Sequence, residues 1–262
     1  MKKSRIDAVL AERGLFPSRS AAAGAVRAGE VRVGRDGPVA LRPSQLVEPE
    51  APLIVDAGPR YASRGGIKLE NALEALRIDV SDRDCLDVGA STGGFTDCLL
   101  QRGAARVAAV DVAYGQIDQR LREDRRVAVI ERLNARALGP ADLPFPPSLA
   151  TIDVSFISLT KVLPAVLACA APRFDCLAMV KPQFEVGRER VGKGGVVRDG
   201  AVRREALVSV AAAGRELGCA VLGFASSGLP GPKGNLESFV WLAEAARGGV
   251  GDIEAAAREV EP

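Results

Sequence analysis

Residues 87–100 read DVGASTGGFTDCLL and continue the apolar run CLDVG, residues 85–89. A glycine-rich turn between an apolar run and an amphipathic stretch is typical of a strand that leads into a helix, and its backbone can approach a ligand closely. A dinucleotide-binding turn has the spacing G-x-G-x-x-G, whereas this turn reads GASTGG. The spacing therefore favours a ligand with an amino-acid end, for which Asp87 offers a carboxylate and Ser91 and Thr92 offer hydroxyls.

Short apolar runs alternate with longer helical stretches on both sides of this turn. The runs are residues 85–89, 106–111, 127–130, 149–154, 176–181, 219–225 and 237–242. Such alternation predicts an α/β fold with a mostly parallel sheet of seven strands, whose ligands bind beyond the carboxyl ends of the strands. Asp111 ends the second run, at the place where such folds bind ribose hydroxyls. The GASTGG turn and Asp111 together resemble the S-adenosylmethionine site of a Rossmann-type methyltransferase.

Four charged residues lie at the ends of these runs or on the preceding helix. Lys68 is in the first turn of a predicted helix, Asp153 and Lys181 end the fourth and fifth runs, and Glu237 begins the last run. A charged group at the end of an apolar strand is unfavourable unless it is paired. Each one alone is more often a solvated strand end or a salt bridge. As an ordered set behind the glycine-rich turn, they are candidate reacting groups.

The first part of the chain has a different character. Residues 6–14 and the stretch from Pro17 to Gly29 predict two helices, and Val31 and Val33 begin a strand. Residues 1–35 hold eight Lys or Arg and three acidic residues, a net charge of +5, which indicates a polyanionic partner. We predict a small α+β domain over residues 1–58, a linker over 59–64 and a larger domain over 65–262.

Composition excludes several classes of site. The chain contains no histidine, which excludes Ser-His-Asp triads and imidazole metal sites, and we expect no bound metal. The longest apolar stretch is about half of the ~20 residues that a membrane helix needs, and the basic N-terminus lacks the apolar core of a signal peptide. We therefore expect a cytoplasmic protein without stable membrane association.

The ordered Lys, Asp, Lys, Glu set, with GASTGGFTD, DVSF and VKPQFE, resembles the TlyA family of ribosomal RNA methyltransferases, whose members are sometimes labelled haemolysins. The catalytic half of the TlyA family resembles the FtsJ-type 2'-O-methyltransferases. The segment RIDAVLAERGLFPSRSAAAGAVRAGEVRVG is similar to the S4 RNA-binding module. The resemblance implies transfer of a methyl group from S-adenosylmethionine to a ribose 2'-hydroxyl, expected on cytidine, of ribosomal RNA within ribosomal subunits.

The predicted site residues form three groups. Catalytic roles are expected for Lys68, Asp153, Lys181 and Glu237, with Lys181 either accepting the hydroxyl proton or positioning the hydroxyl. The predicted cofactor contacts are Asp87, Gly89, Ser91, Thr92, Gly93, Gly94, Asp111, Asn134 and Asp153. Asn134 follows the third strand and is just as often a turn residue. The predicted RNA contacts are Arg5, Arg13, Ser18, Arg19, Arg27, Arg32, Arg60 and Arg64. The basic, glycine-rich segment 187–200 is either a substrate loop or a plain surface loop.

Three other functions remain open at this point. An RNA-binding assembly factor with an inactive methyltransferase fold fits the basic head equally well, although it would have no need for four interdependent charges. A base methyltransferase would usually carry an aromatic or Pro-rich motif after the fourth strand, where this chain has DVSFIS. A membrane-active haemolysin has little support, because the sequence has no membrane-length apolar run.

Overall fold

The computed structural model of the chain describes residues 3–16, 18–34, 37–55 and 60–261. The chain divides into two compact units, residues 1–64 and residues 65–262. The predicted helix start at Pro17 and the predicted domain boundary between residues 58 and 59 lie outside the described residues. The division into 1–58, 59–64 and 65–262 therefore stays a prediction.

The first unit contains two helices and four short strands among its described residues. They are β1 (Ser4–Arg5), α1 (Ile6–Glu12), α2 (Arg19–Ala28), β2 (Val31–Val33), β3 (Leu46–Val47) and β4 (Leu53–Val55). The pairs β1/β3 and β2/β4 are both antiparallel. The Ser18 hydroxyl caps α2 by accepting from the Ala21 N–H at 3.1 Å, and Gly29 ends it with a left-handed φ of 82°. Ile6, Leu10, Val26 and other apolar side chains form the core of this unit.

The second unit alternates helices and strands, as the apolar runs predict. Its helices are α3 (Arg64–Leu76, beginning at the unit boundary), α4 (Gly94–Gln101), α5 (Gln119–Glu123), α6 (Leu163–Ala168), α7 (Pro182–Glu185), α8 (Gly200–Glu216) and α9 (Ile253–Val260). Its strands are β5 (Asp84–Val88), β6 (Arg106–Val110), β7 (Val127–Ile130), β8 (Leu149–Ile152), β9 (Asp175–Val180), β10 (Cys219–Ser226) and β11 (Ser238–Glu244). Glu237 therefore precedes the last strand instead of beginning it.

The seven strands form one sheet in the order β10-β11-β9-β8-β5-β6-β7. The neighbours from β9 to β7 are parallel, whereas β11 runs antiparallel to both β9 and β10. The predicted seven-stranded, mostly parallel sheet is confirmed. Ser238 pairs with Val180, so β11 begins at the same edge of the sheet where β5, β6, β8 and β9 end. The residues that directly follow β5, β6, β8 and β9, and those that directly precede β11, therefore lie along one edge.

Apolar side chains on both faces of the sheet hold this arrangement. The strand residues Leu86, Ile152 and Leu242 are fully buried, and α8 packs with Leu207 and Val210 in the same cluster. On α3, Leu69 and Leu73 are buried, and so is Lys68. Among the described residues, no helix is both long enough and apolar enough to span a membrane.

Candidate functional site

The glycine-rich turn after β5 makes close contacts that only a small residue tolerates. Gly89 has φ 87°, and a Cβ there would clash with the Asp153 carbonyl oxygen, so the ends of β5 and β8 touch at this point. Gly93 has φ 94°, and a Cβ there would clash with the Leu121 side chain. Ser91 between them also has a positive φ, 49°. The turn is therefore tightly constrained, while the side chain of Ser91 is exposed at the sheet edge.

Asp87, at the end of β5, is a buried carboxylate that the described residues only half satisfy. Its Oδ2 accepts from the Thr96 N–H at 2.9 Å and from the Thr96 hydroxyl at 2.7 Å. Its Oδ1 is buried without a hydrogen-bond partner among the described residues. Burial raises the pKa of Asp87 to about 7; the charges of Asp153 and Asp111 add to the rise, and the Thr96 hydrogen bonds oppose it. A cationic donor at Oδ1 would satisfy this carboxylate.

Asp111, which follows β6, fastens the two neighbouring turns together. Its Oδ2 accepts from the Ser91 N–H at 2.7 Å, and its Oδ1 accepts from the Ala113 N–H at 2.7 Å. An ionised carboxylate has about four acceptor positions, so this one retains capacity for hydroxyl donors. The next residue, Val112, is 68% exposed, which is unusual for a branched apolar side chain at a strand end. The sequence pattern predicts no role for Val112, although this residue directly follows Asp111, a predicted cofactor contact.

Asn134 makes the contact of a turn residue. Its side-chain oxygen accepts from the Arg136 N–H at 3.0 Å and caps a short 3-10 helix, Ala135–Ala137. The contact fits the capping alternative, and the cofactor contact predicted for Asn134 stays a prediction.

The four predicted catalytic charges form two ion pairs at the same edge. The Lys181 ammonium lies 2.6 Å from Asp153 Oδ1 and donates to the Ser155 hydroxyl at 2.9 Å. Asp153 Oδ1 accepts no hydrogen bond among the described residues, so this contact is an ion pair outside hydrogen-bond geometry. Ser155 was not predicted, although it stands in the DVSF motif. Continuing the β9–β11 register one residue beyond Ser238 and Val180 sets Lys181 opposite Glu237.

Lys68 and Glu237 form the second pair. The Lys68 ammonium donates to Glu237 Oε2, and both residues are buried, 7% and 3% exposed respectively. The residues are far apart in sequence, and the pair joins α3 to the start of β11. Because two buried charges satisfy each other, this pair fixes the helix against the sheet edge beside Lys181.

An aromatic side chain projects from the loop after β8. Phe156 is 90% exposed and has a left-handed φ of 64°, a costly backbone conformation for a bulky residue. Its ring lies 5.1 Å from the ring of Phe184, centroid to centroid. The Glu185 carboxylate holds the loop, because it accepts from the Ser158 hydroxyl at 2.6 Å and the Leu159 N–H at 2.9 Å. Burial raises the pKa of Glu185. Phe156 lies in the DVSFIS segment, where the sequence pattern predicts no aromatic contact.

The residues predicted to bind RNA have varied surroundings in the first unit. Arg5 and Arg19 are exposed and lie 2.8 Å and 3.5 Å from the buried Asp7 carboxylate. Arg13 donates to backbone carbonyls of Pro49 and Ala51, so it braces the unit itself. Four arginines of this group remain. Arg27 is exposed, the Arg60 guanidinium lies 5.3 Å from the Tyr61 ring centroid, and Arg32 and Arg64 are half-buried. Their contacts with RNA, like that of the α2 cap Ser18, stay predictions.

Acidic side chains of this edge do not form a metal cage. Over the described ranges, no group of three or more His, Cys, Asp or Glu side chains is arranged to hold a metal ion.

Comparison with known proteins gives a consistent result over both units. The family model described as FtsJ-like methyltransferase matches residues 61–244, and the S4 domain model matches residues 4–52. The chain is 49% identical to the 16S/23S rRNA (cytidine-2'-O)-methyltransferase TlyA of Mycobacterium tuberculosis, over 92% of this chain and 90% of that protein. It is 37% identical to a protein named Hemolysin A from Brachyspira hyodysenteriae, over 89% of this chain and 97% of that protein.

A solved structure covers nearly the whole chain. A haemolysin-named protein from Streptococcus thermophilus superposes with a TM-score of 0.74 at 38% sequence identity, over 99% of this chain and 96% of that one. The similarity therefore includes the fold as well as the sequence.

Proposed function

This chain belongs to the TlyA family of FtsJ-like ribosomal RNA (cytidine-2'-O)-methyltransferases, and from that premise we propose that it transfers a methyl group from S-adenosylmethionine to a ribose 2'-hydroxyl of ribosomal RNA. The observation that carries the proposal is the Lys181 ammonium, held 2.6 Å from Asp153 and 2.9 Å from Ser155, at the sheet edge where Asp87 also lies. An amine and a carboxylate at that edge are suited to bind a hydroxyl group by hydrogen bonds and to accept the proton that it loses.

The cofactor side of the edge suits a cationic ligand. When bound, S-adenosylmethionine supplies a methyl group that its sulfonium already activates. The unpartnered Asp87 Oδ1 would accept from the α-ammonium group of that molecule, which would also relieve the unfavourable burial of the carboxylate. Asp111 would hold the ribose hydroxyls, and the exposed Val112 would cover one face of the adenine. The GASTGG turn admits the ligand because its backbone carries little side-chain bulk. No metal has a part in this proposal, since the methyl donor needs no further activation.

The substrate side would orient the attacking hydroxyl. We assign Lys181 to the hydroxyl, either as the neutral amine that accepts its proton, after the ammonium has lost a proton to water, or as the ammonium that positions it. Asp153 and Ser155 would hold the Lys181 side chain in place. The Lys68–Glu237 pair fixes the neighbouring segment of the edge. Help of the general-base kind is worth roughly 10²- to 10⁴-fold in rate. Phe156 offers an exposed aromatic face on which a base lifted from its stack could rest.

The first unit would supply affinity for RNA. Its S4 match and its exposed arginines suit contacts with RNA phosphates, which contribute affinity and salt dependence more than sequence choice. We therefore propose ribosomal subunits, in the cytoplasm, as the substrate, with cytidine as the methylated nucleotide.

The test is transfer of labelled methyl from S-adenosylmethionine to ribosomal subunits that lack the modification, followed by alkaline hydrolysis and mass spectrometry. We expect a methylated cytidine whose 3'-phosphodiester bond resists alkali. Lys181→Ala should lower the rate by roughly 10²- to 10⁴-fold. Lys161→Ala, a change of an exposed lysine that forms no ion pair among the described residues, should not.

Each other outcome points to a different function. Label on a base would contradict ribose methylation, and equal rates for Lys181→Ala and wild type would remove the assigned role of Lys181. Tight binding of subunits without methyl transfer would favour the assembly factor.

A further inference from the structure

Two loops near Lys181 and Glu237 bring three cationic side chains close together. We call these three residues, Lys193, Arg198 and Lys233, the basic shelf. The first loop follows α7 and contains an isolated antiparallel bridge between Gly192 and Val196. A Cβ on Gly192 would lie 3.7 Å from the Arg198 guanidinium, and one on Gly195 would lie 3.7 Å from the Lys233 ammonium. The cations from two separate loops therefore gather on one small hairpin.

Asn235 clamps the two loops together. This residue is only 2% exposed. Its side-chain oxygen accepts from the Val197 N–H at 2.9 Å, and its side-chain NH2 donates to the Gly195 carbonyl at 2.8 Å. Its own carbonyl accepts from the Gly231 N–H at 2.8 Å, which closes the turn that carries Lys233. A single buried amide thus sets the position of the hairpin relative to this turn.

The same turn contacts the Lys68–Glu237 pair. A Cβ on Gly231 would clash with Glu237 Oε1, so the backbone of the turn is packed against that carboxylate. The other loop follows Lys181 through the short helix α7. The basic shelf is therefore held beside the proposed reaction site from both ends.

The charges of the basic shelf lack counter-ions. Lys193, Arg198 and Lys233 are exposed, and none has an ion pair among the described residues. Arg190 in the same loop differs, because it is bonded to Glu205 at 2.5 and 2.7 Å. The adjacent Asp199 carboxylate accepts from the Ala201 N–H at 2.9 Å. Exposed cations gathered on one hairpin create a positive local potential that attracts anions.

Building on the proposed function, we propose that the basic shelf binds the phosphate backbone of the RNA next to the methylated nucleotide, and that Asn235 is the positioning residue of this contact. The contact would hold the strand beside Lys181 after the target nucleotide has been lifted from its stack. It would be separate from the contacts that the first unit makes elsewhere on the RNA.

The test is binding of unmodified ribosomal subunits at several KCl concentrations, with methyl-transfer kinetics on the same proteins. Lys193→Gln/Lys233→Gln is compared with Arg125→Gln/Arg173→Gln, a control with the same charge change, whose exposed arginines precede β7 and β9 at the opposite edge of the sheet. Each lost phosphate contact lowers the slope of log K against log salt by about 0.7–0.9. For the lysine double variant, the slope should therefore decrease by roughly 1.4–1.8. Its KM should rise, while its kcat stays within about twofold of wild type. The arginine control should keep the wild-type slope and the wild-type KM.

Asn235→Ala should lower the slope although it removes no charge, while S-adenosylmethionine still binds with wild-type affinity. An unchanged slope for the lysine double variant, or an equal loss in the control, would overturn the basic shelf. That result is distinct from failure of the proposed function, in which the wild-type protein neither binds nor methylates the subunits. If Asn235→Ala does not fold, the lysine double variant alone decides.

Discussion

The two sides of the sheet edge hold their charges in opposite ways. On the substrate side, Lys68 is bonded to Glu237, and Lys181 lies 2.6 Å from Asp153. On the cofactor side, Asp87 has hydroxyl and amide donors at one oxygen and none at the other, with the carboxylates of Asp111 and Asp153 near enough to raise its pKa. Among the described residues, each of the four charges on the substrate side has an oppositely charged partner, whereas Asp87 has none.

This difference implies that the paired charges contribute to the stability of the fold, whereas the unpaired Asp87 carboxylate contributes to ligand binding. A buried pair stabilises the fold only while both partners are present, because either charge alone is poorly solvated. A buried carboxylate with a raised pKa works against folding once it is ionised, and it stays useful only if a ligand compensates. Removing a charge should therefore have opposite effects on stability on the two sides.

The largest effect is expected on the paired side. Glu237→Gln leaves the Lys68 ammonium buried without a counter-charge and should lower the free energy of unfolding by about 3–5 kcal/mol. Lys68→Met/Glu237→Gln should recover most of that loss. The control is Asp84→Asn in the exposed pair with Arg106, which should cost about 0–1 kcal/mol in chemical denaturation. If Glu237→Gln lowers the free energy of unfolding no more than the control does, the Lys68–Glu237 ion pair does not stabilise the fold.

A smaller effect of opposite sign is expected at Asp87. Asp87→Asn should weaken S-adenosylmethionine binding by roughly 10- to 100-fold in calorimetry, as expected for the loss of a hydrogen bond to a charged group. The same variant should melt at a higher temperature than wild type at pH 8, because it removes a carboxylate that burial disfavours. Asp82→Asn, a change of an exposed carboxylate, should alter neither quantity. A lower melting temperature for Asp87→Asn would contradict the comparison.

The smallest expected effect is the pH dependence that Asp87 gives to the stability of the protein and to its affinity for S-adenosylmethionine. With a pKa of about 7 in the folded protein and ~3.9 when unfolded, Asp87 lowers stability as the pH rises between these values and adds no further slope above 7. A bound ammonium group favours the ionised carboxylate, so binding releases a proton below pH 7. Affinity for S-adenosylmethionine should be about tenfold weaker at pH 6 than at pH 8.

Proton release can be measured directly by calorimetry at pH 6 in two buffers with different ionisation enthalpies. Asp87→Asn should remove most of the release and most of the pH dependence. Equal pH dependence in the variant and the wild type would assign the titration to another group.

Much of the candidate site could be predicted from local sequence. The GASTGG turn places glycine at residues 89 and 93, where φ is positive, and a side chain at residue 89 would also clash with the backbone of Asp153. The Lys, Asp, Lys and Glu residues were identified because charges at the ends of apolar runs stand out against their neighbours. The contacts in which those residues take part could not be predicted, since Lys68 reaches Glu237 only after α3 and β11 have come together.

Other site features depend on tertiary contacts from the start. The exposure of Phe156 and the role of Glu185 in holding its loop follow from packing between the segments after β8 and β9. The clamp by Asn235 joins loops that are separated in the chain by all of α8 and β10. An asparagine in a glycine-rich segment has no local signal that distinguishes such a clamp from a turn.

The sequence by itself determined the contrast between a basic head and a larger body, the alternation of seven strands with helices, and the residue types at the sheet edge, because periodicity and glycine placement are local properties of the chain. Only the tertiary structure decided that β11 lies antiparallel between β9 and β10, which lysine pairs with which acid, and that Asp87 keeps one oxygen without a donor among the described residues. These properties depend on which strand ends meet at one edge, and that meeting is the result of burying both faces of the sheet at once.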